Sequence, residues 1–302
     1  MNPSIKRIAA LCAILALLLC GAGLSENAPR SVTDMTGREI RLEGPVTRAV
    51  ALTAADCEIL YALGAGDALV GRGEYCDYPE AALDVPMVQS GAGTNLEQII
   101  ALSPQVVFMN TMAQSAEQIE QLEAAGIRVV VSEATDIAGV FEAIRVIGAV
   151  MERDDAAATL IEDMMRGFDE LASQAGSHEN KPRIYFEVSP LIYGLWTAGS
   201  GTFMNEIATL LGAENVFADV DGWAGISEEQ VIERNPDCIV TIAMYDGQGE
   251  TPEQEIIARP GWTQVAAVRE KRILSLRDES LSRPGPRLLD GARKLCEFLY
   301  AE

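Results

Sequence analysis

The chain states one short pattern twice. Asn95-Leu96-Glu97-Gln98-Ile99-Ile100 runs into Pro104-Gln105-Val106-Val107-Phe108, and 132 residues later, without a gap, Ser227-Glu228-Glu229-Gln230-Val231-Ile232 runs into Pro236-Asp237-Cys238-Ile239-Val240. A second echo precedes each copy. Glu58-Ile59 with Leu63-Gly64-Ala65 returns as Glu206-Ile207 with Leu211-Gly212-Ala213, at an offset of 148. Two echoes in one order imply two lobes of similar plan, and the 302 residues suffice for two domains of ordinary size. A two-lobed chain has a cleft between its lobes.

Short apolar strands alternate with helical patterns through both halves. Ala49–Leu52, Ala68–Gly71, Val106–Met109 and Val129–Val131 read as buried strands. Ala54–Leu63, Leu96–Leu102 after an Asn95 cap, and Ser115–Ala125 carry helical stripes between them. Val32–Ile40 reads as a small hairpin. After helix Val140–Met151, an amphipathic helix over Asp154–Ala175 carries Leu160, Ile161, Met164, Met165, Phe168 and Leu171 on one stripe. It spans about 30 Å at ~1.5 Å per residue. The alternation restarts with strand Arg183–Val188, helix Phe203–Leu211, and strands Cys238–Ala243 and Arg272–Leu276, and ends in helix Arg287–Tyr300. The predicted fold class is α/β: two Rossmann-like lobes, 31–150 and 180–302, with mostly parallel central sheets, joined by the helical segment 151–176.

Residues 1–23 read as a targeting segment. Lys6 and Arg7 precede an apolar run from Ile8 to Leu19, which is short for a bilayer span, and Cys20-Gly21-Ala22-Gly23 follows. Two processing routes stay open: lipidation at Cys20, or cleavage after Ala22 or Gly23. Either leaves the mature chain outside the cytoplasm. The net charge of -22 argues against a nucleic-acid partner. Cys57, Cys76, Cys238 and Cys296 show no CxxC spacing and read as small buried residues; a Cys57–Cys76 disulfide is the alternative in an oxidising compartment.

The single histidine, His178, lies in a polar loop, so no multi-histidine zinc site can be built. No GxSxG, phosphate loop or GxGxxG is present. Ala198-Gly199-Ser200-Gly201-Thr202 reads as the entry to the Phe203 helix. The expectation is a binding protein, not an enzyme. Several of the few aromatic residues fall where strands end: Tyr75 and Tyr78, Tyr193 and Trp196, Trp223, and Tyr245. Strand C-terminal ends are where open α/β sheets bind ligands. These rings therefore read either as ligand-stacking surfaces or as covers for each lobe's own core. Glu97 and Glu229 occupy matching places just inside helix starts. They read either as dipole-stabilising residues or as a two-point docking face for a basic partner.

The set Val32–Arg38, Tyr75-Cys76-Asp77-Tyr78-Pro79, Asn95-Leu96-Glu97, the Leu-Ser-Pro run ending in Val107, Gly212–Phe217 and Arg283-Pro284-Gly285-Pro286-Arg287 resembles the extracytoplasmic substrate-binding proteins of iron-complex and cobalamin ABC importers. The resemblance covers nearly everything after residue 23. It implies two α/β lobes on one rigid long helix, a ligand held between them with modest closure, and Glu97 and Glu229 meeting arginines on the two permease subunits. It also implies that Tyr75 and Trp223 contact ligand and that Arg283 is a basic cleft residue.

The implied partners are a permease dimer with its ATPase and a small metal chelate of iron or cobalt. The chain itself is expected to be a monomer without a cofactor. Ser90-Gly91-Ala92-Gly93 stands where cobalamin binders carry a bulky aromatic, and only Arg72 and Arg283 are cleft arginine candidates, so a ferric siderophore and a corrinoid both stay open. The expected contacts are Tyr75, Trp196, Trp223 and Tyr245 for stacking and Arg283 for a ligand carboxylate or phosphate. A haem-binding protein, a sensor or an envelope enzyme on the same fold is the alternative.

Overall fold

The computed structural model describes residues 29–111, 115–176, 178–242 and 249–301. Cys20, with the rest of segment 1–23, and Tyr245 lie outside the described residues. The chain enters through an antiparallel hairpin, β1 (Arg30–Thr33) and β2 (Glu39–Leu42). Its turn is closed by the Asp34 carboxylate, which accepts from the Thr36 and Arg38 backbone N–H groups at 3.0 Å each. The second Asp34 oxygen accepts from Val131 N at 3.2 Å, which ties the hairpin to the first lobe.

The first lobe is a four-stranded parallel sheet. Its strands are β3 (Ala49–Ala51), β4 (Leu69–Arg72), β5 (Val106–Met109) and β6 (Arg128–Val131), in the order β4-β3-β5-β6. Strand residues divide between two cores by their period of two. Ala49, Ala51, Val106 and Phe108 face a core with α1 (Ala54–Ala62) and α4 (Ile137–Met151). Val50, Val107, Met109 and Val131 face one with Ile99 of α2 (Leu96–Ala101) and Leu122 of α3 (Ala116–Ala124).

The 22-residue α5, Asp154–Ala175, follows, with the span its stripe predicts. The second lobe repeats the plan with β7 (Arg183–Glu187), β9 (Glu214–Asn215), β11 (Cys238–Thr241) and β12 (Ile273–Ser275), all parallel in the order β12-β11-β7-β9. Helices α6 (Phe203–Leu210), α7 (Glu228–Arg234), α8 (Pro252–Ala258), α9 (Ala266–Arg269) and α10 (Leu288–Tyr300) accompany it.

The internal echo is structural. Asn95 and Ser227 both cap a helix by accepting from the N3 amide, of Gln98 and Gln230 respectively. Glu97 and Glu229 are both the second helical residue, and Ile99 and Val231, two positions on, are both fully buried. Each helix leads to a four-residue buried strand, β5 or β11. In the second echo, Gly64 and Gly212 end α1 and α6 at φ 68° and 67°, a left-handed conformation that glycine adopts without a Cβ penalty.

One apolar core runs through both lobes. It joins the inner face of the first sheet, the Met164, Phe168 and Leu171 stripe of α5, and Ile184, Phe186 and Val240 of the second sheet, with Leu288 and Leu295 of α10. Gly167 lets α10 approach α5 closely, because a Cβ there would lie 2.5 Å from a Leu289 methyl. The four cysteines are buried and unbridged. Cys76 shares a hydrogen bond with Cys57 and donates to Thr53 O at 3.1 Å; that bond and burial push its thiol well above the usual range.

One expectation is corrected. Trp196 and Trp223, expected where strands end, lie within strands of their own, β8 (Leu195–Ala198) and β10 (Trp223–Ile226), which form an antiparallel ribbon beside the second sheet. Four-residue strands, one containing Gly225, carry too little alternation to be seen from sequence.

If the lobes share one core through α5, Phe168→Ala should cost about 3–5 kcal/mol, as deletion of a buried aromatic does, and lower a single unfolding transition. Calorimetry resolving two independent transitions, only one of them shifted, would contradict the shared core.

Candidate functional site

A cavity of about 670 Å³ opens between the lobes, a volume within the usual range for small-molecule sites. Its walls follow from topology, because the strands of both sheets end there. The exits of β3, β5 and β6 contribute Thr53, Asn110 and Ser132–Thr135, and the exits of β7 and β11 contribute Val188, Ser189 and Ile242. Ala54, Ala55, Ile59 and Ala143 give an apolar floor on the first lobe. Phe203, Tyr193, Trp196 and Trp223 give an aromatic wall on the second.

Each aromatic has its own support. Trp223 leans on Phe203 with ring centroids 5.6 Å apart at 60°, so its other face is left for the cavity. Trp196 pairs with Gly225 across the ribbon, where no side chain covers the ring, and is 43% exposed. Tyr193 sits on a short 3-10 turn, Leu191–Tyr193, ended by Gly194 at φ 82° and braced by Ser189 Oγ donating to Gly194 O at 2.7 Å. It is exposed and leans over the mouth of the cavity.

The structure thus brings Trp196, Trp223 and Arg283 together at one cavity. Tyr75 is exposed in the loop after β4 and does not line it. Arg72, the other candidate cleft arginine, is buried at the end of β4, with Nη1 donating to Gly73 O at 3.3 Å, and does not line it either.

Arg283 lines the cavity, but its charge is already matched. Nη1 donates to Asp77 Oδ1 at 2.6 Å and to Glu58 Oε1 at 3.2 Å, and Nη2 pairs with Glu279. Arg287 also holds Glu58, donating at 2.6 and 3.0 Å, while its guanidinium stacks over Tyr78 at 4.0 Å. Burial works against the Arg283 charge, but Asp77, Glu279 and Glu58 outweigh it and hold the group protonated. Burial likewise raises the Asp77 carboxyl, and Arg283 more than reverses that, keeping it below its ordinary value. Glu58 is on α1 and both arginines belong to the second lobe, so the cluster joins the lobes beside the cavity.

Sequence reasoning missed two acids. Asp56 is buried at the start of α1, where Thr53 Oγ1 donates to it at 2.6 Å and Ser132 Oγ donates to its other oxygen. Burial pushes its carboxyl up from 3.8 to about 6, with the two hydroxyls pulling the other way. An Asp in a first helical turn looks like a dipole residue, so nothing in the sequence set it apart. Glu133, which accepts from Thr111 Oγ1 at 2.6 Å, follows the buried strand β6. The strand-exit rule that picked out the aromatics would have found it had it been applied to acids.

Glu97 and Glu229 are both exposed. Glu229 accepts from its own backbone N–H and from Ser227, which hold its carboxyl below the ordinary value. Its neighbour Glu228 accepts from Trp262 Nε1 at 2.8 Å; Trp262 lies under the Arg259 guanidinium at 4.4 Å, and Arg259 donates to Glu187 on β7 at 2.6 and 2.8 Å. Among the described residues no group of His, Cys, Asp and Glu is arranged to hold a metal ion, and no helix is long and apolar enough to cross a membrane.

Residues 50–280 match the family described as periplasmic binding protein. The chain is 31% identical over 283 residues to an uncharacterized ABC transporter substrate-binding lipoprotein of Bacillus subtilis, covering 92% of this chain and 88% of that protein. It is 29% identical over 254 residues to a vitamin B12-binding protein of Salmonella choleraesuis, covering 83% and 90%. Its fold matches a solved protein of an ABC-type Fe3+-hydroxamate transport system of Saccharomonospora viridis, with a TM-score of 0.75 and 26% identity, covering 91% of this chain and all of that one. A periplasmic family and a lipoprotein relative place the chain outside the cytoplasm.

The buried acid gives a pH signature. A carboxyl that titrates near 3.8 when unfolded and near 6 when folded binds its proton more tightly in the native state. Stability from this group is therefore present below pH 4 and lost as pH rises to about 6, by up to about 3 kcal/mol. Asp56→Asn should flatten the dependence of Tm on pH between about 4 and 6 and raise Tm above pH 6. An unchanged slope in that window would show that Asp56 is not the titrating group.

Proposed function

Because the chain belongs to the periplasmic binding protein family of ABC-transporter components, we propose that its inter-lobe cavity captures a bulky metal chelate, a ferric siderophore or a corrinoid, and delivers it to a permease driven by an ATPase. The observation that carries this reading is the aromatic wall of Trp196, Trp223 and Phe203 facing the strand exits of the opposite lobe across one cavity. Flat rings supply large contact area at low conformational cost, as a broad, rigid ligand needs. The vitamin B12-binding and Fe3+-hydroxamate relatives support the chelate class.

Recognition here needs no catalytic group, and we assign none. Trp196, Trp223 and Tyr193 are the proposed stacking residues. Tyr75 stands outside this cavity and Tyr245 outside the described residues, so neither carries the proposal. Cys20 is the proposed lipid attachment point, in keeping with the lipoprotein relative. Glu97 and Glu229 are the proposed permease contacts: exposed carboxylates at equivalent places on two lobes suit two equivalent basic partners.

Trp223→Ala should weaken chelate binding by about 1–3 kcal/mol, read by calorimetric titration. A dissociation constant unaffected by the substitution would reduce Trp223 to a cover for Phe203. The double substitution Glu97→Ala, Glu229→Ala should leave the dissociation constant unchanged and abolish uptake by cells or proteoliposomes carrying the permease. Full uptake by that variant would remove the docking assignment.

A further inference from the structure

The charges around the cavity define its cargo more narrowly. Resting on the capture reading above, we infer that the chelate accepted here carries no net negative charge: it is a neutral or cationic complex that presents hydrogen-bond donors to the first lobe.

Of the residues that line the cavity, Arg283 is the one cation among those described. A lone arginine in a cleft ordinarily invites an anion. Here its charge is already matched: Asp77 and Glu58 accept from Nη1 and Glu279 pairs with Nη2. Arg287 adds no free charge, because both of its Glu58 contacts are within 3.0 Å. Two guanidinium groups thus face three carboxylates, and the cluster is negative before any ligand enters. An incoming anion would meet all three carboxylates at this arginine, and Glu58, buried at 3% exposure, cannot withdraw from it.

Among the described lining residues the remaining charged groups are acids. Asp56 has two hydroxyl donors and no ion pair among the described residues. Glu133 faces the same space from the exit of β6. The neutral polar lining of Asn110, Thr135, Ser189 and Ser282 can serve an amide or hydroxamate edge. The whole chain, at -22, adds a long-range field of the same sign. Apolar floor, aromatic wall and unmatched acids together fit a ligand with a neutral rim or a positive charge, and repel one bearing carboxylates or catecholate oxygens.

The test is calorimetric titration of the mature protein with four chelates of known charge: cyanocobalamin (neutral overall), ferrioxamine B (cationic), ferric enterobactin (anionic) and haemin, with its two propionates. Saturable binding is expected for one of the first two, and for neither anionic chelate within about 100-fold of it, the scale of one close like-charge contact in a partly shielded site. Comparable or tighter binding of an anionic chelate would overturn this inference and leave the capture reading standing. Silence from all four would count against the capture reading and take the inference with it. Asp77→Asn supplies a second arm. The Asp77 side chain is 55% exposed, so the substitution should be tolerated, and it removes one of the three negative charges that face Arg283. It should narrow the preference for uncharged over anionic chelate by up to about fivefold. An unaltered preference would show that pairing of Arg283 does not set the selection.

Discussion

The arrangement of this protein depends on a single continuous apolar core seated on α5. Two α/β lobes with separate cores would be free to hinge. Here the inner sheet faces of both lobes, α4, α5, α6 and α10 bury their side chains against one another, and only the outer faces keep cores of their own. A 22-residue helix that is half core and half solvated face cannot bend without exposing Met164, Phe168 or Leu171. The lobes are therefore held at a nearly fixed separation, and the cavity exists before a ligand arrives. Binding then costs little reorganisation, and shape and charge of the preformed space decide what enters.

Much of this was legible in the sequence because it rests on periodicity. Strands such as Val106–Met109 are fully buried runs, and the α5 stripe keeps its phase over six turns, so both were found at their true places. The paired caps at Asn95 and Ser227 were visible because capping needs particular side chains at fixed offsets. What escaped is set by tertiary contacts. The ribbon of β8 and β10 is too short to show a pattern, so Trp196 and Trp223 were expected past the ends of other strands rather than within their own, although their nearness to a cavity was anticipated. Arg283 was visible as a basic residue, but Glu58 and Asp77, which occupy it, lie more than 200 positions away in sequence. Asp56 looked like any helix-start acid until its burial was known.

The two buried ionic clusters have different characters. Glu187, Arg259 and Glu255 form a closed set inside one lobe, where burial pushes the Glu187 carboxyl up and the Arg259 contacts oppose it. Removing one member would leave a buried charge without a partner, so the set acts as a structural unit. The Glu58, Arg283, Arg287 and Asp77 cluster crosses between lobes and reaches solvent through Asp77. It braces the cleft across the two lobes and leaves an excess of carboxylates beside the cavity.

The contacts from Glu187 through Arg259 and Trp262 to Glu228 have a mechanical meaning. Val188 and Ser189, at the exit of β7, form part of the cavity wall; Glu228 precedes Glu229 on α7, at the lobe's exposed end. A bidentate ion pair, a ring under a guanidinium and an indole hydrogen bond leave no compliant joint between them. The wall and the outer helix are one stiff strut. A small tilt at the exit of β7 would therefore carry α7 with it, as the short arm of a rigid lever carries the long one.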